Sequence, residues 1–187
     1  MRDLLVGTVE VRDLRHLDLY LEAPSPANRY GIGLAAEEDG EVVGAACGAG
    51  IALGLAGMPI SEEEVQHRIG LVDFLTVHVE HRRQGLGARL HDALLNGLRD
   101  SGHRLVLGKM AADRRDLVPV YTHWGWSVGA RGAGVVVDFL GDPIALAEEP
   151  TLRVAWKSLT PGVHLAPLGR LGVPAVTGVF YKRPTTA

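Results

Sequence analysis

Cysteine is almost absent from this chain: Cys47 stands alone among 187 residues. A lone cysteine excludes an internal disulfide. Cys47 lies in a small apolar run, Val42 to Ala49, with no helix start or cationic neighbour in sequence to lower its pKa, so it reads as a buried strand thiol and not a nucleophile. An excess of positive charge is missing too. The net charge of -3 and the pI near 6.2 leave no electrostatic footprint for duplex nucleic acid or an anionic membrane. A small cationic substrate suits such a chain better. No apolar run is long enough to cross a bilayer, and Met1-Arg2-Asp3-Leu4 does not open a secretory signal, so the expectation is a cytoplasmic protein.

What is present is globular: 47% hydrophobic and 22% charged residues, in a length suited to one core. The 24 glycines mean that glycine motifs arise by accident, and any one of them needs independent support. A short strand is predicted over Thr8 to Arg12, then a helix marked by Leu14, Leu17 and Leu21. Tyr30 to Glu37 and Glu41 to Cys47 form a predicted hairpin around Glu38-Asp39-Gly40, and His67 to Val79 is the longest strand candidate. Leu86, Leu90, Ala93, Leu94 and Leu98 mark one face of a helix that Gly102 ends. Further strands are predicted at Arg104 to Gly108, Trp126 to Ala130, Val135 to Leu140, Leu152 to Leu159 and Ala175 to Tyr181, with a short helix over Leu117 to Trp124. Strands and helices alternating after an opening hairpin define an α/β (α+β) domain, a mixed sheet with helices on its faces. Residues 1–159 are read as that domain, and residues 160–187 as a Pro/Gly-rich extension packing on it or on a dimer partner.

The informative segment is the junction from Leu75, Thr76 and Val77 through Arg82, Arg83, Gln84, Gly85, Leu86, Gly87 and Ala88. A strand enters a tight turn and then a helix whose start carries two glycines, so several main-chain N–H groups can converge on one point with no β-carbon in the way. Such a point binds phosphate, and the helix dipole adds to it. Arg82 or Arg83 adds a charge-assisted contact or serves as a solvated turn residue. The Gly-Lys-Ser/Thr cradle of nucleoside triphosphatases is absent. Leu90 breaks the Gly-x-Gly-x-x-Gly spacing of dinucleotide folds.

A second signal follows downstream: Tyr121-Thr122-His123-Trp124-Gly125-Trp126 ends a short helix in glycine and re-enters a strand on an aromatic residue. Together the two segments resemble the GNAT acetyltransferases. In that superfamily a strand runs into Arg/Gln-x-x-Gly-x-Gly/Ala and a helix, matched by Arg82, Gly85 and Gly87, and a later helix ends in Tyr-x-x-x-Gly-aromatic, matched by Tyr121, Gly125 and Trp126. The resemblance is firm from Leu71 to Trp126.

The resemblance implies acetyl-CoA as donor, with the diphosphate on the amides of Arg82 to Ala88 and the pantetheine along Leu75, Thr76 and Val77. It implies direct attack by a primary amine, with Tyr121 near the sulfur as proton donor to the departing thiolate. Asp73, which by alternation shares a face with Leu71, Leu75 and Val77, is either the base or a salt-bridge partner. Glu62, Glu63 and Glu64 read as a solvated helix start that could line the amine site. His123 reads as an exposed helix residue. His78 and His81 are not spaced to share a helical face, and no metal is expected. Two positions depart from the pattern: Arg114 stands where many members carry Asn, and Lys109 where some carry Glu. The acceptor is read as a small-molecule amine. A peptide acceptor, reached through a groove formed with Gly141 to Ala187, and a catalytically silent acyl-CoA-binding module are the competing readings, and that same segment could form a homodimer arm.

Overall fold

The acidic run ahead of the longest apolar stretch decides where that strand begins. In the computed structural model, which describes residues 4–6, 9–13, 31–53, 60–146, 149–169 and 173–180, Ser61 caps a short helix, α1 (Glu62–Arg68). Its Oγ accepts from the Glu64 amide at 3.1 Å, and Glu62, Glu63 and Glu64 occupy the first turn, where the helix dipole favours carboxylates. His67 and Arg68 close this helix. The strand predicted over His67 to Val79 is therefore trimmed to β5 (Ile69–Val77), and a 3-10 turn, Val79–His81, follows it.

The predicted hairpin forms from β3 (Ile32–Glu38) and β4 (Glu41–Gly50). Asp39 (φ 52°) and Gly40 (φ 85°) both take left-handed backbone, which matches the twist a two-residue hairpin turn needs. Ahead of it lie β1 (Leu4–Val6) and β2 (Val9–Asp13), the latter one residue beyond the expected strand. The helix expected around Leu14, Leu17 and Leu21 falls outside the described residues. The apolar stripe after the glycine turn makes α2 (Leu86–Asp100), whose Leu90, Leu94 and Leu98 are almost wholly buried; each such leucine contributes about 1.5–3 kcal/mol of burial. Gly102, at φ 101°, ends that helix. Then come β6 (Leu105–Ala111), α3 (Leu117–His123), β7 (Ser127–Val128), β8 (Val135–Phe139), β9 (Asp142–Leu146), β10 (Leu152–Ser158), β11 (His164–Leu168) and β12 (Val173–Thr177).

The main sheet runs β1-β2-β3-β4-β5-β6-β10-β7 and is antiparallel except between β5 and β6. Alternation along β6 sends Val106 and Met110 toward α2, and Leu105 and Leu107 to the other face. That other face is covered by a second sheet, β11-β12-β8-β9, through Val135, Val137, Phe139 and Val176. The segment 160–187 thus contributes two strands, paired with each other and meeting β8 at Val176–Val137. A mixed, mostly antiparallel sheet flanked by helices agrees with the expected class. Among the described residues, no helix is long and apolar enough to cross a membrane.

Candidate active site

Strand β5 holds its two neighbours for different lengths. Against β4 it pairs as far as Val77, but against β6 only from Ile69–Leu105 to Val72–Gly108. Beyond Val72 the two parallel strands part. The His78 amide donates to the Val43 carbonyl at 2.8 Å, so alternation turns the main chain of Thr76 toward β4 and that of Leu75 and Val77 toward the gap. The pantetheine contacts expected from all three residues therefore divide. Thr76 is committed to the sheet, whereas Leu75 and Val77 line the open edge.

The parting coincides with a bulge. Cys47 pairs with Phe74 and Gly48 with Val72, which leaves Asp73 as an extra residue on β5. The bulge flips the strand's faces: Leu71 packs toward the second sheet, while Leu75 and Val77 pack toward α2. The expectation that Asp73 shares one face with Leu71, Leu75 and Val77 is thus corrected, because an inserted residue breaks the two-residue period. Asp73 is exposed and sits directly after the last residue that β5 pairs with β6.

At the far end of β5, Arg83 (φ 61°) and Gly85 (φ 82°) curl the chain into a concave turn before α2. Left-handed backbone costs an arginine about 1–2 kcal/mol, and such strain persists where a turn has to present its N–H groups to a ligand. The Arg89 amide makes the first bond of the helix, to the Gly85 carbonyl at 3.1 Å; the amides of Leu86, Gly87 and Ala88 precede it and have no helical acceptor. Arg82 turns back, its Nε donating to the Val77 carbonyl at 2.9 Å. That bond fixes the last peptide of the open edge. Gln84 donates to the Glu80 carbonyl at 3.2 Å.

Tyr121, on α3, reaches the same gap from the other strand. A β-carbon on Gly108 would lie 3.3 Å from both Tyr121 Cε1 and Trp126 Cζ3, so the tyrosine ring rests on the bare backbone of the residue opposite Val72. Register therefore seats the Tyr121 ring across from Val72, one residue before Asp73 in sequence, at the place where β5 leaves β6. Burial raises the Tyr121 pKa, which keeps the phenol protonated and able to donate.

Other candidates take lesser places. His123 and Lys109 are exposed, and Arg114 forms a bidentate pair with Asp116 at 2.8 and 2.9 Å. His81 Nδ1 lies 3.0 Å from Glu38 Oε2. No group of three or more potential metal ligands forms among the described residues. Two buried residues carry weight that the sequence reading missed: Gly108, and His91, whose Nε2 accepts the Trp126 indole N–H at 2.8 Å. The signal for His91 was Leu95, four residues on and also buried, which widens the stripe of α2 to include it.

His91 and His103 both have pKa values lowered by burial. The unfolded chain takes up these protons first, so the stability they confer is complete above the ordinary histidine range and lost as pH falls through it. The melting temperature is expected to drop between about pH 7 and pH 5. Each ~1 kcal/mol corresponds to roughly 2–4 °C at this chain length. Scanning calorimetry of wild type and a His91→Gln/His103→Gln variant checks this, and the variant's decline should be shallower.

A glycine turn opening a helix, a sheet split beside it and a tyrosine ring seated at that split make up the candidate site. The sequence model of the acetyltransferase (GNAT) family matches residues 3–126, and the chain belongs to that family: it is a GNAT-type acyltransferase that uses acetyl-CoA. Among solved structures, one described as an acyl-CoA N-acyltransferase from Klebsiella pneumoniae aligns with a TM-score of 0.55 at 19% identity, covering 80% of this chain and 97% of that one. Ard1 from Thermoplasma volcanium aligns with a TM-score of 0.50 at 18% identity, covering 77% of each chain. Identities this low establish a shared fold. No curated protein sequence matches the chain.

Proposed function

We propose that this enzyme moves the acetyl group of acetyl-CoA to the primary amine of a small molecule by direct attack, with Tyr121 as acid and Asp73 as base. The observation that carries the reading is the seating of Tyr121 on Gly108, opposite the residue that precedes Asp73. The start of α2, from Gln84 to Ala88, grips the diphosphate. The main chain of Leu75 and the Val77 amide, whose carbonyl is already held by Arg82, take the pantetheine amides and aim the thioester into the gap. Asp73 takes the proton of the incoming ammonium; the amine nitrogen bonds to the acyl carbon as the carbon–sulfur bond breaks, and Tyr121 gives its proton to the sulfur. The nitrogen loses its second proton as the amide forms, water carries that proton to the phenolate to restore Tyr121, and Asp73 releases its own proton to solvent.

The net charge of -3 supports a small cationic amine as acceptor, and a cytoplasmic setting is proposed with it. Coenzyme A release, followed over a panel of small primary amines and short peptides, tests the reading. Turnover on a small amine is expected, reduced about 10²-fold or more by Asp73→Asn, the contribution typical of a general base. Turnover on peptides alone would replace the acceptor class. Tight acetyl-CoA binding with no turnover on any acceptor would favour the silent module.

A further inference from the structure

The most buried titratable group near the gap is one that the chemistry above does not use. The His91 side chain is 5% exposed, on the flank of α2, and its two nitrogens have distinct partners. The indole N–H of Trp126 can only donate, and it lies 2.8 Å from His91 Nε2, so that nitrogen carries the lone pair. The proton therefore sits on Nδ1, 2.9 Å from Asp92 Oδ1. This tautomer is fixed by geometry. A second proton would set two N–H groups head to head inside the core; Lys157, on β10, opposes it and Asp92, on the helix itself, favours it, while burial outweighs both.

What His91 orients leads straight to Tyr121. Trp126 meets the tyrosine ring edge-on, centroids 5.3 Å apart at 76°, and shares the surface of Gly108 with it. Trp124 stacks on His91 at 4.5 Å and lies 6.3 Å from Tyr121. Lys157 Nζ donates to the Trp124 carbonyl at the end of α3, tying that helix end to β10. The tyrosine is thus bounded by two indoles, and both indoles are referenced to one imidazole.

We propose that His91 is a positioning residue for acyl transfer: as a neutral acceptor it locks the Trp126 indole and, with Trp124, forms the aromatic wall that sets Tyr121 over Gly108. The proposal rests on Tyr121 being the proton donor. Loss of the acceptor leaves a buried indole N–H without a partner, and the ring turns to find one; Tyr121 then loses its edge contact. Misplacement of a reacting group by ~1 Å costs about 10²-fold in rate, with no loss of ground-state affinity for acetyl-CoA.

The test combines a double-mutant cycle with a spectroscopic readout that needs no acceptor. With acetyl-CoA and the best amine, His91→Leu is expected to lower kcat at least about tenfold, toward the limit for a 1 Å misplacement, with the acetyl-CoA Kd within about twofold of wild type. His91→Gln, whose amide oxygen can take the indole proton, should restore most of the rate. In a Tyr121→Phe background, His91→Leu should cost nothing further, since its effect passes through the phenol. In 13C-labelled tyrosine spectra, the ring-current displacement of Tyr121 should fall by half or more in His91→Leu and persist in His91→Gln. Should His91→Leu not fold, His91→Asn, whose amide stops short of the indole, takes its place with the same expectations. An unchanged Tyr121 resonance, or a kcat loss that is additive with Tyr121→Phe, overturns the proposal. Wild-type turnover in Tyr121→Phe alone would instead overturn the assignment of the proton donor, and the resonance would still decide whether the wall exists.

Discussion

Tyr121→Phe should lower kcat by about 10²–10³-fold, within the range general acids supply, while the acetyl-CoA Kd measured by calorimetry moves less than about threefold. The substitution removes one hydroxyl and nothing else. The ring stays seated on Gly108, edge-on to Trp126 at 5.3 Å, so packing and the mouth of the gap are preserved. If the tyrosine were only a core aromatic with a satisfied hydroxyl, the rate would barely change. Its raised pKa sharpens the expectation: any alkaline fall in wild-type kcat that belongs to this phenol lies above the ordinary tyrosine range of about 10.

Gly87→Glu should move stability and ligand affinity in opposite directions. Gly87 is the second residue of α2, and an added β-carbon there would find Val77 Cγ2 at 3.7 Å and Leu75 Cδ2 at 3.8 Å, which is ordinary contact. Replacing a helical glycine gains up to about 1 kcal/mol, and a carboxylate in the first turn adds about 0.3–1 kcal/mol through the helix dipole. The melting temperature should therefore hold or rise by a few degrees. Acetyl-CoA meets a different surface. A fixed negative charge at the amides meant for its diphosphate, at an effective dielectric of about 20, opposes it by several kcal/mol at contact distances, and at ~1.4 kcal/mol per decade the Kd should rise at least about 100-fold. A loop that merely starts a helix would show the gain in stability without the loss of affinity.

Much of this was legible in the residues because local rules decided it. The left-handed pair Asp39 and Gly40, the leucine stripe of α2 and the glycine turn at Gly85 each follow from backbone sterics or a repeat that packing only reinforces. Of the second sheet, β8 and the later half of β12 were expected, but β9 and β11 were hidden by Pro143 and Pro167, and Pro174 obscured the start of β12; proline in a strand is tolerated at sheet edges and strand starts, where sequence gives it no marker. The start of helix α1 was legible at Glu62 to Glu64, but its end was masked because His67 and Arg68 run without a break into the apolar strand. The bulge at Asp73 is a matter of register between β4 and β5, which no single-strand pattern contains. His91 escaped for a related reason. Its importance comes from an indole 35 positions away, a distance that periodicity does not span.

The central claim is that the main-chain amides opening α2 receive the coenzyme's diphosphate. Titration of 15N-labelled protein with coenzyme A, read amide by amide, tests it most directly. The account requires the largest saturable shifts at Gln84, Gly85, Leu86, Gly87 and Ala88, with smaller ones at Leu75 and Val77. Saturable binding that left those five amides undisturbed and perturbed another face of the protein would contradict it.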